Sequence, residues 1–221
     1  VSRLQISPDG ERLALWHSGR DDAADLSLSR LEIRSIDSGE VARAWTDDVP
    51  DALLWSPDSR TLALRQGSNL WLHPQGSSPR LLLANHEHLG DFVWHPDGES
   101  LLFSWTAPEE EPDEQRRRIR SLEDRWANQR DNSQLFEVDV ASGLIRPLTN
   151  QDVDVNLLDV DPEGERLLLS QRVIDYSEPP HSLFRLVELN LDGLSRREIT
   201  RVRMISGALF ADSGYWLLSG P

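Results

Sequence analysis

No cysteine occurs among the 221 residues. A disulfide framework, a thiol nucleophile and a thiolate metal site are therefore excluded. That absence fits the cytoplasm and is compatible with the periplasm. Lysine is missing too: all 23 basic residues are arginine, which we read as genome bias before function. Against them stand 38 acidic residues, for a net charge of −15. Nonspecific nucleic-acid binding rests on basic surface, so this balance argues against it. No stretch approaches the roughly 20 apolar residues of a membrane span. The N-terminus does not resemble a signal peptide, and no Asn-x-Ser/Thr acceptor is present. The expectation is a cytoplasmic chain, or a periplasmic one if a longer parent carries a signal peptide, with neither nucleic acid nor membrane as partner.

What is there is a phrase written five times: Ile6-Ser-Pro-Asp-Gly10, Trp55-Ser-Pro-Asp-Ser59, Trp94-His-Pro-Asp-Gly98, Val160-Asp-Pro-Glu-Gly164 and the degenerate Phe210-Ala-Asp-Ser-Gly214. A short apolar run follows each, from Leu13-Ala-Leu15 to Trp216-Leu-Leu218. Proline fixes φ and glycine tolerates the positive φ of a tight hairpin. From Pro8, Pro57, Pro96 and Pro162 to Asp212 the spacings are 49, 39, 66 and 50. Such periods mark stacked supersecondary units, and four short strands with tight turns make a propeller blade.

The fourth unit shows the plan: a strand over 153–160, the turn Pro162-Glu-Gly164, an apolar return over 166–171, a third strand over 183–189 and an arginine-rich edge over 196–201. Third strands are also expected at Leu31–Asp37, Leu70–His73 and Leu135–Val140. The predicted fold is an all-β propeller of four-stranded antiparallel blades. The blades cover about 1–46, 47–88, 89–151 and 152–202, with a partial one at about 203–221 and an insertion at about 106–130. About four and a half blades suggest an incomplete ring, hence a piece of a larger protein that oligomerises or is completed by its missing part.

Several chemistries can be weighed. Gly193-Leu-Ser195-Arg-Arg197 lacks the second glycine and the helix of a nucleophile elbow. Asp152, Asp154, Asn156 and Glu163 match a calcium loop in part, but Leu157 stands where glycine is needed. His86 and His88 are only two imidazoles, too few for a metal site. A glycosidase would need a convergent acid pair, and no spacing singles one out. No catalytic residue, metal or cofactor is therefore assigned. The insertion is different: an acidic block, Glu109, Glu110 and Glu111, precedes a basic one around Arg116 and Arg117, then Trp126. Long loops on a rigid scaffold concentrate binding residues. The glutamates suit a peptide's amino terminus, and the arginines a carboxylate.

The Trp-Ser-Pro-Asp repeats resemble the propellers of TolB-type proteins and of the prolyl oligopeptidase family. The second is favoured by Arg118 to Trp126, then Ser133-Gln-Leu-Phe-Glu-Val-Asp-Val-Ala-Ser-Gly143 and Arg146-Pro-Leu-Thr149. This stretch is similar to bacterial dipeptidyl-peptidase and acylaminoacyl-peptidase propellers. The resemblance implies a non-catalytic gate over a C-terminal α/β-hydrolase domain, admitting short peptides. It also implies that paired glutamates on a propeller projection grip the peptide's amino end, with Arg116, Arg117 and Trp126 as peptide or interdomain contacts. The other resemblance implies a protein-interaction propeller with no catalytic role.

Overall fold

The computed structural model describes residues 3–21, 26–107, 132–150, 153–174, 182–212 and 214–220. Among the described residues there are eighteen strands and no helix. They form four four-stranded antiparallel sheets and one hairpin, the blade architecture expected from the repeats. The chain divides into two compact units, Val1–His86 and Glu87–Pro221.

The first unit holds two blades. One comprises β1 (Arg3–Ile6), β2 (Arg12–Asp21), β3 (Leu26–Ser35) and β4 (Val41–Trp45). The other comprises β5 (Ala52–Trp55), β6 (Thr61–Gln66), β7 (Asn69–Pro74) and β8 (Arg80–Leu83). Alternation along the strands sends Ala14, Trp16, Leu31 and Ile33 to one face of the first blade. They pack there against Leu53, Trp55, Leu62 and Leu64 of the second. Strand β3 begins at Leu26 rather than Leu31, because β2 and β3 stay paired out to Asp21 and Leu26.

The second unit carries β9 (Leu89–Trp94), β10 (Ser100–Trp105), β11 (Gln134–Asp139) and β12 (Ile145–Pro147) as one blade. The next has β13 (Asp154–Val160), β14 (Arg166–Ile174), β15 (Ser182–Asn190) and β16 (Arg196–Val202). Strands β17 (Met204–Ala211) and β18 (Gly214–Gly220) close as a two-stranded sheet, half a blade. Leu102, Leu135 and Leu148 of the third blade meet Val155, Leu167, Leu169 and Val187 of the fourth in one buried cluster. Leu168 and Leu186, on the opposite face of the fourth blade, pack against Ala208 of the hairpin.

The repeated phrase builds one device four times. In the first blade the Ser7 hydroxyl donates to Asp9 Oδ1 at 2.5 Å and accepts the Arg12 N–H at 2.9 Å. Asp9 Oδ1 also accepts the Glu11 N–H, and Gly10 closes the turn on the Ser7 carbonyl with φ +75°. Ser56, Asp58 and Ser59 repeat this in the second blade. These hydrogen bonds, led by the serine hydroxyl, hold the Asp9 and Asp58 carboxyls below the usual aspartate range. In the fourth blade Asp161 takes the serine's place and accepts from both the Arg166 backbone and its guanidinium.

Candidate functional site

The charged insertion joins β10 to β11 at the blade end opposite the Pro-Asp turn. Glu109, Glu110, Glu111, Arg116, Arg117 and Trp126 lie outside the described residues. Its described base is firmly built. Phe103 stacks on Phe136 with ring centres 5.5 Å apart, and Trp105 meets Phe136 edge-on at 5.6 Å. The Trp105 indole N–H donates to the Glu87 carbonyl at 2.8 Å. On the returning side, the Gln134 amide donates to the Val153 carbonyl, and Asp154 accepts the Ser133 N–H at 3.1 Å. Thr149 ties both ends of this corner, donating to Gln134 Oε1 and accepting the Leu135 N–H, each at 2.9 Å. Long loops carry binding groups best when their roots are rigid. These roots are.

The described second-to-third-strand pairing is longer in the first and fourth blades: β2–β3 pair over ten positions and β14–β15 over nine. In the second blade the connection is only the tight Gln66-to-Asn69 turn.

Other sequence candidates fall apart spatially or chemically. Ser195 is exposed in the β15–β16 turn, its carbonyl accepting the Asn190 N–H. Asp154 and Asn156 are strand residues of β13, with Asp154 facing Arg172 at 3.5 Å, while Glu163 is in the turn beyond the strand. His86 Nδ1 lies 3.0 Å from the Ala84 carbonyl. Among the described residues no three His, Asp or Glu side chains converge as metal ligands would. Two buried carboxylates have cationic neighbours: Asp161, 2.8 Å from Arg166, and Glu32, 2.6 Å from Arg34 and 2.7 Å from Arg30. The Arg34 hydrogen bond outweighs burial and holds the Glu32 carboxyl below the usual range. The Glu32 ion pairs lie along β3, with His17 of β2 3.8 Å away.

Between the first strands of the third and fourth blades, β9 and β13, lies a cavity of about 320 Å3. Phe92, Trp94, Pro96 and Leu158 give it an apolar wall, with the Asp91 and Asp159 carboxylates and Asn156 as polar groups. Asp159 is held in place by the Phe210 N–H at 2.7 Å. The only local signal was an acidic residue in each first strand; the repeat makes the two blades neighbours, but does not show that these residues line one cavity.

No protein-family profile matches the chain. In sequence it is similar to the "Uncharacterized peptidase YuxL" of Bacillus subtilis, with 26% identity over 217 residues. That match covers 83% of this chain and 32% of that protein. In fold it is similar to dipeptidyl peptidase 4 of Porphyromonas gingivalis, with TM-score 0.64 and 12% identity over 99% of this chain and 36% of that one. The β-propeller domain of the trilobed protease of Pyrococcus furiosus gives TM-score 0.62 and 10% identity, over 92% of this chain and 57% of that one. TolB of Acinetobacter baumannii gives TM-score 0.60 and 15% identity, over 96% and 48%. The chain spans about a third of the length of the curated relative it matches. It is a set of propeller blades that resembles a peptidase in sequence, and in fold the propellers of peptidases and of TolB.

Proposed function

We propose that this chain is the non-catalytic propeller portion of a serine peptidase of the prolyl oligopeptidase type, serving as a gate that admits short peptides. The observation that carries the reading is the 26% identity with a Bacillus subtilis peptidase across 83% of the chain. The ring contacts and hydrogen bonds at the root of the insertion support it, because a loop can select substrate only if its base does not yield. On this reading Glu109, Glu110 and Glu111 hold the substrate's amino terminus by charge-assisted hydrogen bonds. Arg116, Arg117 and Trp126 contact the peptide or the hydrolase domain that completes the protein.

The test uses the longer protein to which the chain belongs, assayed on dipeptide and pentapeptide nitroanilides and on casein. Short peptides should be cleaved and casein spared. Replacing residues 108–130 by a short Gly-Ser turn should relax that discrimination. Glutamine at all three glutamates should raise KM for peptides with a free amino end about tenfold, without the same effect on acylated ones. A whole protein that cleaves none of these would favour the second reading, a TolB-like propeller that binds protein partners. That reading draws on the fold likeness to TolB over 96% of the chain.

A further inference from the structure

Where the first and second blades face each other, Trp16, Trp45, Trp55 and Trp71 fill the middle of the interface. At the end that carries the Ser-Pro-Asp turns the filling stops, leaving a cavity of about 630 Å3. Its apolar floor is Ile33, Leu62 and Pro74, and three guanidiniums, Arg12, Arg43 and Arg60, line it. Arg12 is already committed: it donates to the Ser59 carbonyl and lies over the Trp55 ring at 4.8 Å. Arg43 touches the Trp45 ring at 4.9 Å. Both Arg43 and Arg60 are exposed; Arg60 acts on the neighbouring Asp58 carboxylate, and among the described residues no salt bridge is formed by Arg43. In a chain of net charge −15, this cavity still carries guanidiniums along its wall, with one carboxylate acting on Arg60.

His73 is the second observation. It sits next to Pro74 at the end of β7, opposite Leu62, and is only 8% exposed. Its ring packs edge-on against Trp45, and its buried Nδ1 has no hydrogen-bond partner among the described residues. A buried polar atom left without a partner costs about 1–3 kcal/mol, and few native groups are left so. Burial, helped by the Arg43 charge, pushes its pKa down to about 4. The ring is therefore neutral and offers one N–H and one lone pair.

We propose that this cavity binds a small organic anion, its carboxylate or phosphate head held by Arg43 and Arg60 with His73 as hydrogen-bond partner, and its apolar body seated on Ile33, Leu62 and Pro74. The guanidinium fork matches either head group bidentately. The volume falls within the roughly 300–1,000 Å3 of small-molecule pockets. A bare inorganic anion would leave the apolar floor uncovered, and a neutral apolar ligand would make no use of the arginines. An amphipathic acid satisfies both.

Titration calorimetry of the chain with benzoate, phenyl phosphate and the uncharged benzamide tests this. Imidazole NMR signals, assigned with the variant His73→Gln, give a second readout. Saturable binding of at least one anion that shifts the His73 signals is expected, with benzamide much weaker; the tighter anion identifies the head group. Arg60→Gln should weaken binding about tenfold, and because that side chain is exposed and only its charge acts on Asp58, the fold should be little affected. Arg43→Gln should act in the same direction. The site is overturned if neither anion binds at millimolar concentration, if the His73 signals do not move, if benzamide binds as tightly, or if Arg60→Gln changes nothing.

Discussion

The junction of the first and second blades and that of the third and fourth solve one problem with different chemistry. Each must fasten the turn of the later blade to the earlier one. In both, the carbonyl of the turn's fourth residue is the anchor. At the first junction it belongs to Ser59 and accepts from the Arg12 guanidinium. At the other it belongs to Gly164 and accepts from His95 Nε2 at 2.8 Å. Arg12 comes from the strand after its own turn and also covers Trp55; His95 is itself a turn residue, with Asp97 2.8 Å from its Nδ1. The arginine design returns where the fourth blade meets the last hairpin. There Arg166, in the register position of Arg12, lies 5.0 Å over Phe210, in the position of Trp55. An arginine spans the gap while leaving room at the turn; an imidazole needs the turn's backbone bare.

The largest effect should therefore come from Gly164→Ala. Its φ is +75°, and a Cβ there would lie 2.4 Å from His95 Cε1. The ring cannot retreat without giving up the Gly164 carbonyl. Backbone strain of about 1–2 kcal/mol and loss of that hydrogen bond with its carbonyl left unpaired, about 1–2 kcal/mol, predict a total of about 2–4 kcal/mol. Urea unfolding would measure it, and a change under about 0.5 kcal/mol would show that the close approach does not matter.

Next come the two arginines. Arg166→Gln strips the buried Asp161 of its guanidinium partner, 2.8 Å away, and uncovers Phe210. Loss of a charged hydrogen bond and a cation–π contact predicts about 2–3 kcal/mol. Arg12→Gln removes a ring contact and a bond to a neutral carbonyl, so about 1–2 kcal/mol is expected. Equal losses would mean that the bond to the buried Asp161 carboxylate contributes no more than the bond to the neutral Ser59 carbonyl.

How much of this was legible along the chain follows from the range of each interaction. The turns could be read because Ser7, Pro8, Asp9 and Gly10 bond within five residues of one another. The blades followed from their recurrence. The junctions could not be read: Arg12 and Ser59, or His95 and Gly164, are brought together only when sheets stack, and each pair uses different residue types. The His73 cavity was hidden for a related reason. Its histidine reads as one more strand residue until the facing blade supplies Arg43 and Trp45. The arm was found by its charge and composition alone.

The smallest effect tests whether the first junction justifies its strain. Ser59 is the only residue of the four matched turn positions that is not glycine, yet its φ is +63°. Gly10, Gly98 and Gly164 take the same conformation without penalty. What the serine gains is a side-chain bond across the junction, its hydroxyl accepting the Asp9 N–H at 2.9 Å. Ser59→Gly relieves roughly 1 kcal/mol of strain and forfeits roughly 1 kcal/mol of hydrogen bonding, so its stability should match the parent. Ser59→Ala keeps the strain and loses the bond, and should cost about 1 kcal/mol. Matched unfolding curves for the pair separate the two terms. If glycine proves clearly stabilising, the hydroxyl bond is worth less than the strain it accompanies. The carbonyl anchor to Arg12 would then hold the junction without it.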